Sequence, residues 1–224
     1  MREKINVLDV NIEYCSAKQA LKAAVEYMDT PVTSVIDLVT IEALMYARDD
    51  QSYREAIEQS DLVLPGQKDI LEAAGITDSR SMREIESQTF LRLWLKYLHR
   101  NHCRVYLLVE TDEEVDALTG CLTEEYRGIA IVGVAKVAPG TEADDMLVNA
   151  INGGEADCVI AILTPPVQEQ FIARNRSQIN TRVWLGAGKL MEFAYRQKSG
   201  KGKVMTFLDR MLFRREIEKT KKES

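Results

Sequence analysis

The order of apolar runs in this chain predicts an α/β fold. The expected core is a mainly parallel, Rossmann-like sheet with helices on both faces, followed by a C-terminal amphipathic helix. Three observations predict it. First, the runs SVIDLV (34–39), RVYLLV (104–109) and CVIAIL (158–163) are rich in branched aliphatic residues and lack strict alternation, as strands covered on both faces do. Second, segments with helical spacing separate the runs. Third, several runs break at Gly or Pro and restart as helices, the junction at which open α/β sheets place ligands.

Each element follows from local chemistry. Ile5 to Tyr14 alternates as one strand does, and Ser16 to Gln19 matches a capping box ahead of a helix through Met28. Pro31 ends that unit. Ser34 to Val39 is a buried-type strand with one acid, Asp37, and helices are expected from about Thr40 to Arg48 and from Ser52 to Gln59. Asp61 to Pro65 is a short strand running into the turn Gly66-Gln67, and Lys68 to Ala74 a short helix stopped by Gly75. Phe90, Leu91, Trp94, Leu95 and Leu98 form an apolar stripe on a helix from Thr89 to Arg100. Arg104 to Val109 is a strand, Asp112 to Glu125 a helix, Ile129 to Val137 a strand and Glu142 to Asn152 a helix. The run from Cys158 to Leu163 breaks at Thr164-Pro165-Pro166 and restarts as a helix carrying Gln168 and Glu169 in its first turn. Arg182 to Leu185 is the last strand, and Gly186-Ala187-Gly188 opens the next helix.

Bulk properties exclude several classes. At 224 residues the chain can bury one large core. No run approaches the roughly 18 apolar residues of a membrane span, and the acid-bearing N-terminus does not read as a signal peptide. Cys15, Cys103, Cys121 and Cys158 are scattered without a CxxC pair, as expected of reduced thiols in a cytoplasmic protein. From Arg196 onward ten Lys/Arg face four Asp/Glu, whereas the preceding residues hold 19 basic against 31 acidic. The division is therefore a body of residues 1–195 and a basic appendage of residues 196–224. An acidic body argues against nucleic-acid binding. Val204, Phe207, Leu208, Met211 and Leu212 fall on one side of the appendage helix. Such a helix can lie on an anionic membrane surface, dock on its own body, or meet a neighbouring subunit in a homo-oligomer.

Four places could carry chemistry. The helix start at Pro166 to Glu169 is either an ordinary capped turn or an anion site to which Gln168 adds an amide. Asp37 is a carboxylate in an apolar strand, which is costly unless paired or in use. Glu192, after Gly186-Ala-Gly188, is a second acid near the same sheet edge, so the two could do acid/base work. His99 and His102 beside Cys103 end a helix, where His is favoured, and no further ligand has metal-site spacing.

In this order of features the chain resembles the WecG/TagA/CpsF glycosyltransferases over nearly its full length. The resemblance is carried by SVIDLVTIEALMYARDD, DLVLPGQ, RVYLLV, DCVIAILTPPVQEQFIARN, VWLGAGKLMEF and the arginine-bearing tail, with PPVQEQFIARN the most specific segment. It implies transfer of an N-acetylhexosamine-type sugar from a UDP donor to a lipid-linked acceptor, without metal or cofactor. It also implies a cytoplasmic protein held peripherally at the inner face of the membrane. Gln168 and Glu169 match the family's Gln-Glu pair, and by position Gln67, Glu192, Arg214 and Arg215 are expected to bind substrate, with Asp37 as the base. Several motifs depart. The Thr-x-Asn position reads Asp37-Leu38-Val39, Asp-Gly reads Gly66-Gln67, and the Gly-rich turn after RVYLLV reads Glu110-Thr111-Asp112. Val167 stands at the Lys position, and Glu192 at the Asp after Gly-x-Gly. Two functions follow from the resemblance: an active transferase with a reorganised site, or an inactive relative serving as a binding or scaffold subunit.

Overall fold

The computed structural model describes residues 3–137, 144–191 and 203–223, the last segment with side chains from Arg210 to Thr220. Its centre is a six-stranded, all-parallel sheet in the order β4-β3-β8-β7-β5-β6. The strands are β3 (Ser34–Val39), β4 (Leu62–Pro65), β5 (Arg104–Val109), β6 (Ala130–Lys136), β7 (Cys158–Ala161) and β8 (Val183–Gly186). The helices are α1 (Ala17–Met28), α2 (Ile41–Asp49), α3 (Gln51–Glu58), α4 (Lys68–Ala73), α5 (Ser79–Glu86), α6 (Thr89–Arg100), α7 (Asp112–Glu125), α8 (Asp144–Gly154), α9 (Val167–Asn175) and α10 (Lys203–Glu223).

Strand side chains alternate between two apolar layers. Ile36 and Leu38 of β3 pack with Ala20 and Ala24 of α1, Trp94 of α6 and Leu118 of α7 on one face. On the other face Val35, Val159 and Trp184 meet Ile151 of α8 and Phe171 of α9, while Val39 and Val63 meet α2 and α3. Connections stepping toward β6 carry α6 and α7 on the first face. Those stepping toward β4 carry α2, α3, α8 and α9 on the second, as right-handed crossovers require.

Three local expectations change. Ile5 to Tyr14 is not one strand but a hairpin, β1 (Glu3–Val7) and β2 (Val10–Tyr14), forming its own antiparallel sheet. Leu8 and Asp9 both take positive φ, 50° and 62°, the twist that a two-residue hairpin turn needs. Asp9 tolerates that region, whereas Leu8 is an unusual residue there and its side chain is buried. Helix α5 has no fully buried residue, so no apolar stripe announced it. Gly186-Ala-Gly188 leads into a single 3-10 turn, Gly188–Leu190. The capping box at Ser16 and Gln19 forms as expected.

The C-terminal helix docks on the body through a residue outside the apolar stripe read from sequence. Phe213 is 1% exposed and packs among Val10, Ile41 and Leu44, with Ile217 beside it. Met211 and Leu212 face outward at 54% and 50% exposure. The side chains of Val204, Phe207 and Leu208 lie outside the described residues. Arg210 and Arg214 lie 3.3 and 3.7 Å from the buried carboxylate of Asp69, and Arg48 of α2 pairs with Glu216 at 3.1 Å. Among the described residues, no helix is long and apolar enough to cross a membrane.

Removing a buried phenyl ring costs about 3–5 kcal/mol, whereas an exposed side chain contributes within about 0.5 kcal/mol. Phe213→Ala is therefore expected to lower the thermal midpoint or release the helix to protease, and Met211→Ala to do neither. Equal behaviour of the two variants contradicts the docking.

Candidate functional site

Asp37 shares the second face of the sheet with Val35 and Val39, which belong to different apolar clusters. The carboxyl group thus lies at the seam between those clusters, where α3 and α9 meet. It is 2% exposed, and its strand pairs it with Val63 of β4 and Gly186 of β8. The first turn of α9 projects Gln168 and Glu169 into the same seam, at 2% and 4% exposure. The Gln168 amide nitrogen donates to Asp37 Oδ1 at 3.3 Å and to Glu169 Oε1 at 3.1 Å. Its amide oxygen accepts the backbone N–H of Gly188 at 3.2 Å. One side chain therefore bridges two acids and the turn that follows β8.

Gly186 makes that approach possible. A Cβ on it would lie 2.4 Å from the Gln168 amide nitrogen and 3.0 Å from Asp37 Oδ1. Here the glycine serves close packing of a side chain rather than an unusual backbone angle.

Two carboxyl groups this close in a dry seam cannot both ionise cheaply. Burial pushes Asp37 well above its ordinary value, the charge of Glu169 adds to the rise, and Gln168 offsets part of it. Burial pushes Glu169 up to about 7, partly offset by the N–H groups of its own turn, Tyr53 and Gln168, with Glu42 adding to the rise. Tyr53 is fully buried, its hydroxyl beside Glu169 without a well-aligned hydrogen bond. Asp37 Oδ2 and Glu169 Oε2 likewise have no hydrogen-bond partner among the described residues. The two groups therefore keep their protons to higher pH than exposed carboxylates do, and they titrate as a pair.

The other sequence-selected residues are dispersed. Gln67 uses its side-chain oxygen to accept the N–H of Ile41 at 2.7 Å, tying the loop after β4 to the start of α2. Arg214 reaches Glu72 at 3.1 Å as well as Asp69, and Arg215 is exposed. Glu192 lies outside the described residues. His99 Nδ1 accepts the N–H of Gly128 at 2.7 Å. Among the described residues, no group of three or more His, Cys, Asp or Glu is placed to share a metal ion. A cavity of about 60 Å³, lined by Leu38, Leu64, Gly66, Gln88 and Leu190 among others, opens on the opposite face of the sheet from Asp37.

Sequence reasoning did not find Tyr53, Gly186 or the charged group at the ends of β5 and β7. There Thr164, Glu110, Glu114 and Lys189 converge. One part was legible: Thr111 and Glu114 show capping-box spacing, and the box forms. The rest joins residues up to 79 positions apart in sequence and has no local signature.

The model for the Glycosyl transferase WecG/TagA/CpsF family matches residues 5–205. The N-acetylglucosaminyldiphosphoundecaprenol N-acetyl-beta-D-mannosaminyltransferase of Staphylococcus aureus strain NCTC 8325 / PS 47 is 24% identical to the chain over 194 residues, covering 84% of this chain and 74% of that protein. The protein of the same name from strain COL has the same identity and coverage. That from strain MRSA252 is 23% identical over the same span.

The raised carboxyl groups have a sign that can be measured. Between the ordinary 4.5 and about 7, the folded chain keeps a Glu169 proton that the unfolded chain releases. Its contribution to stability is therefore present at low pH and lost as pH rises through that window. Wild type is expected to lose more thermal stability than Glu169→Gln between pH 5 and pH 8. Parallel losses in the two proteins would contradict the shift.

Proposed function

Since the chain belongs to the WecG/TagA/CpsF glycosyl transferase family, we propose that it transfers an N-acetylhexosamine-type sugar from a UDP donor to a lipid-linked acceptor. The setting would be cell-surface polysaccharide or teichoic-acid-type synthesis, with the protein cytoplasmic and peripheral at the inner membrane face. The relatives' names, which specify an N-acetylmannosaminyl group and a diphosphoundecaprenol-linked acceptor, support the substrate class. The observation that carries the reading is the convergence of Asp37, Gln168 and Glu169 beside the turn after β8.

In such a transfer the acceptor hydroxyl oxygen bonds to the anomeric carbon, the bond from that carbon to the diphosphate oxygen breaks, and UDP leaves. The hydroxyl proton must go to a base. On this reading Asp37 is that base: burial and the charge of Glu169 raise its proton affinity above that of an ordinary carboxylate, which favours taking up the hydroxyl proton. Asp37 can act only when the pair is deprotonated and open to the acceptor. Gln168 and Glu169 orient the donor, Gln67 and Glu192 belong to the rim of the site, and Arg214 and Arg215 offset the negative charge of the diphosphate. The appendage of residues 196–224 supplies those arginines and the membrane-facing side.

A second reading is an inactive relative that binds or scaffolds. It is favoured by one observation: internal carboxylates occupy the ends of β5 and β7, while Asp37 is buried with its carboxyl pushed well above the ordinary range.

UDP release from a panel of UDP-sugars with a lipid-diphosphate acceptor separates the two readings. The first expects turnover by wild type and a loss of about 10²–10⁴-fold in Asp37→Asn, the usual range for a positioned base. No turnover by wild type sinks the first reading, and an unchanged rate in Asp37→Asn removes Asp37 from the chemistry.

A further inference from the structure

At the boundary between β5 and β7 the chain's connections diverge. Strand β5 leads through α7 on the first face to β6, and β7 leads through α9 on the second face to β8. In open α/β sheets such a divergence leaves a crevice at the carboxyl ends of the strands, the usual seat of a ligand. Here the crevice is filled from within. Thr164 donates to the Glu110 carboxylate from its backbone N–H at 2.5 Å and from its hydroxyl at 2.8 Å. The Lys189 ammonium lies 2.8 Å from Glu110 and 2.6 Å from Glu114, and donates to the Ile162 carbonyl at 3.0 Å. The second oxygen of Glu114 accepts the N–H groups of Glu110 at 2.7 Å and Thr111 at 3.2 Å.

The donors in this array are backbone N–H groups from two strand ends, a hydroxyl, the start of a 14-residue helix and an ammonium. Together they have the chemistry of a phosphate cradle. The two acceptors that fill it differ in how firmly they are held. Glu114 is fixed in the capping box of α7. Glu110 precedes the helix, and the contacts on its carboxylate, from Thr164 and Lys189, are the ones a phosphate oxygen could take over. Burial opposes ionisation of Glu110, but the Lys189 ammonium and the hydrogen bonds that Thr164 donates to the carboxylate hold it below the ordinary range.

We propose that Glu110 is an internal anion that closes a phosphate site in the β5/β7 crevice, and that a diphosphate-bearing ligand enters by displacing it. The proposal rests on the reading of the chain as a sugar-nucleotide protein and adds a gate to that site. With Glu110 in place, two carboxylates face one ammonium, and an incoming diphosphate is repelled. With Glu110 turned to solvent, the Thr164 N–H, the Thr164 hydroxyl and one Lys189 hydrogen become free. If the open arrangement makes up about 1–10% of molecules, closure weakens apparent affinity about 100- to 10-fold.

Calorimetric titration of the full chain with UDP and, separately, with inorganic pyrophosphate tests this in wild type and Glu110→Gln. Glutamine keeps an oxygen for the Thr164 N–H and removes the charge. The expected result is about 10- to 100-fold tighter binding of both ligands by Glu110→Gln. Equal binding by the two proteins overturns the gate and leaves the sugar-nucleotide reading standing. No binding of either ligand by either protein overturns both. Thermal melting confirms that the variant is folded; if it is not, Glu110→Ala, which leaves the Glu114 cap intact, takes its place with the same expected outcomes.

Discussion

The amide of Gln168 is the interaction on which the described site depends. It sits where the second face of the sheet changes from one apolar cluster to another, and it connects β3, α9 and the turn after β8. An apolar residue there would leave two carboxyl groups and a backbone N–H without this partner in a dry seam, at a cost of about 1–3 kcal/mol for each group left unpaired. The bridge also holds the acids as neighbours; burial is what chiefly raises both proton affinities, and the charge of Glu169 adds to the rise of Asp37. Gly186 is a condition of the bridge, since any side chain there would occupy the amide's place.

The carboxyl edge of the sheet therefore contains two acidic centres of opposite character. At β3 and β8 the acids are buried, pushed above the ordinary carboxylate range and linked through a neutral amide. At β5 and β7 the acids surround a lysine whose three close contacts are two carboxylates and a carbonyl, and Glu110 is held ionised. Lys189 directly follows Gly188, whose N–H serves Gln168, so the single turn Gly188–Leu190 contacts both centres. A change in that turn would reach the protonation state of one and the closure of the other.

Most of the architecture was legible because burial on both faces leaves a strong mark. The aliphatic runs at 34–39, 104–109 and 158–163 became β3, β5 and β7, and a capping box marked the start of α1. The hairpin at Leu8-Asp9 was not legible, because Leu8 is a poor turn residue by propensity. Helix α5 was missed because it buries no full face. In the site, Asp37 stood out as an acid in an apolar strand, and Gln168 and Glu169 stood out at a helix start. That these three meet depends on β8 inserting between β3 and β7, a long-range pairing with no local sign. In the tail the apolar spacing was clear, but Phe213, rather than Met211 or Leu212, faces the body.

Carbon-13 NMR of labelled carboxyl groups, assigned with Asp37→Asn and Glu169→Gln, tests most directly whether Gln168 joins two acids that share a proton. The structure predicts that at least one of the two carboxyls stays protonated above pH 6 and that removing either acid shifts the titration of the other. Two independent transitions near the ordinary carboxylate value of about 4, unchanged by either substitution, would contradict it.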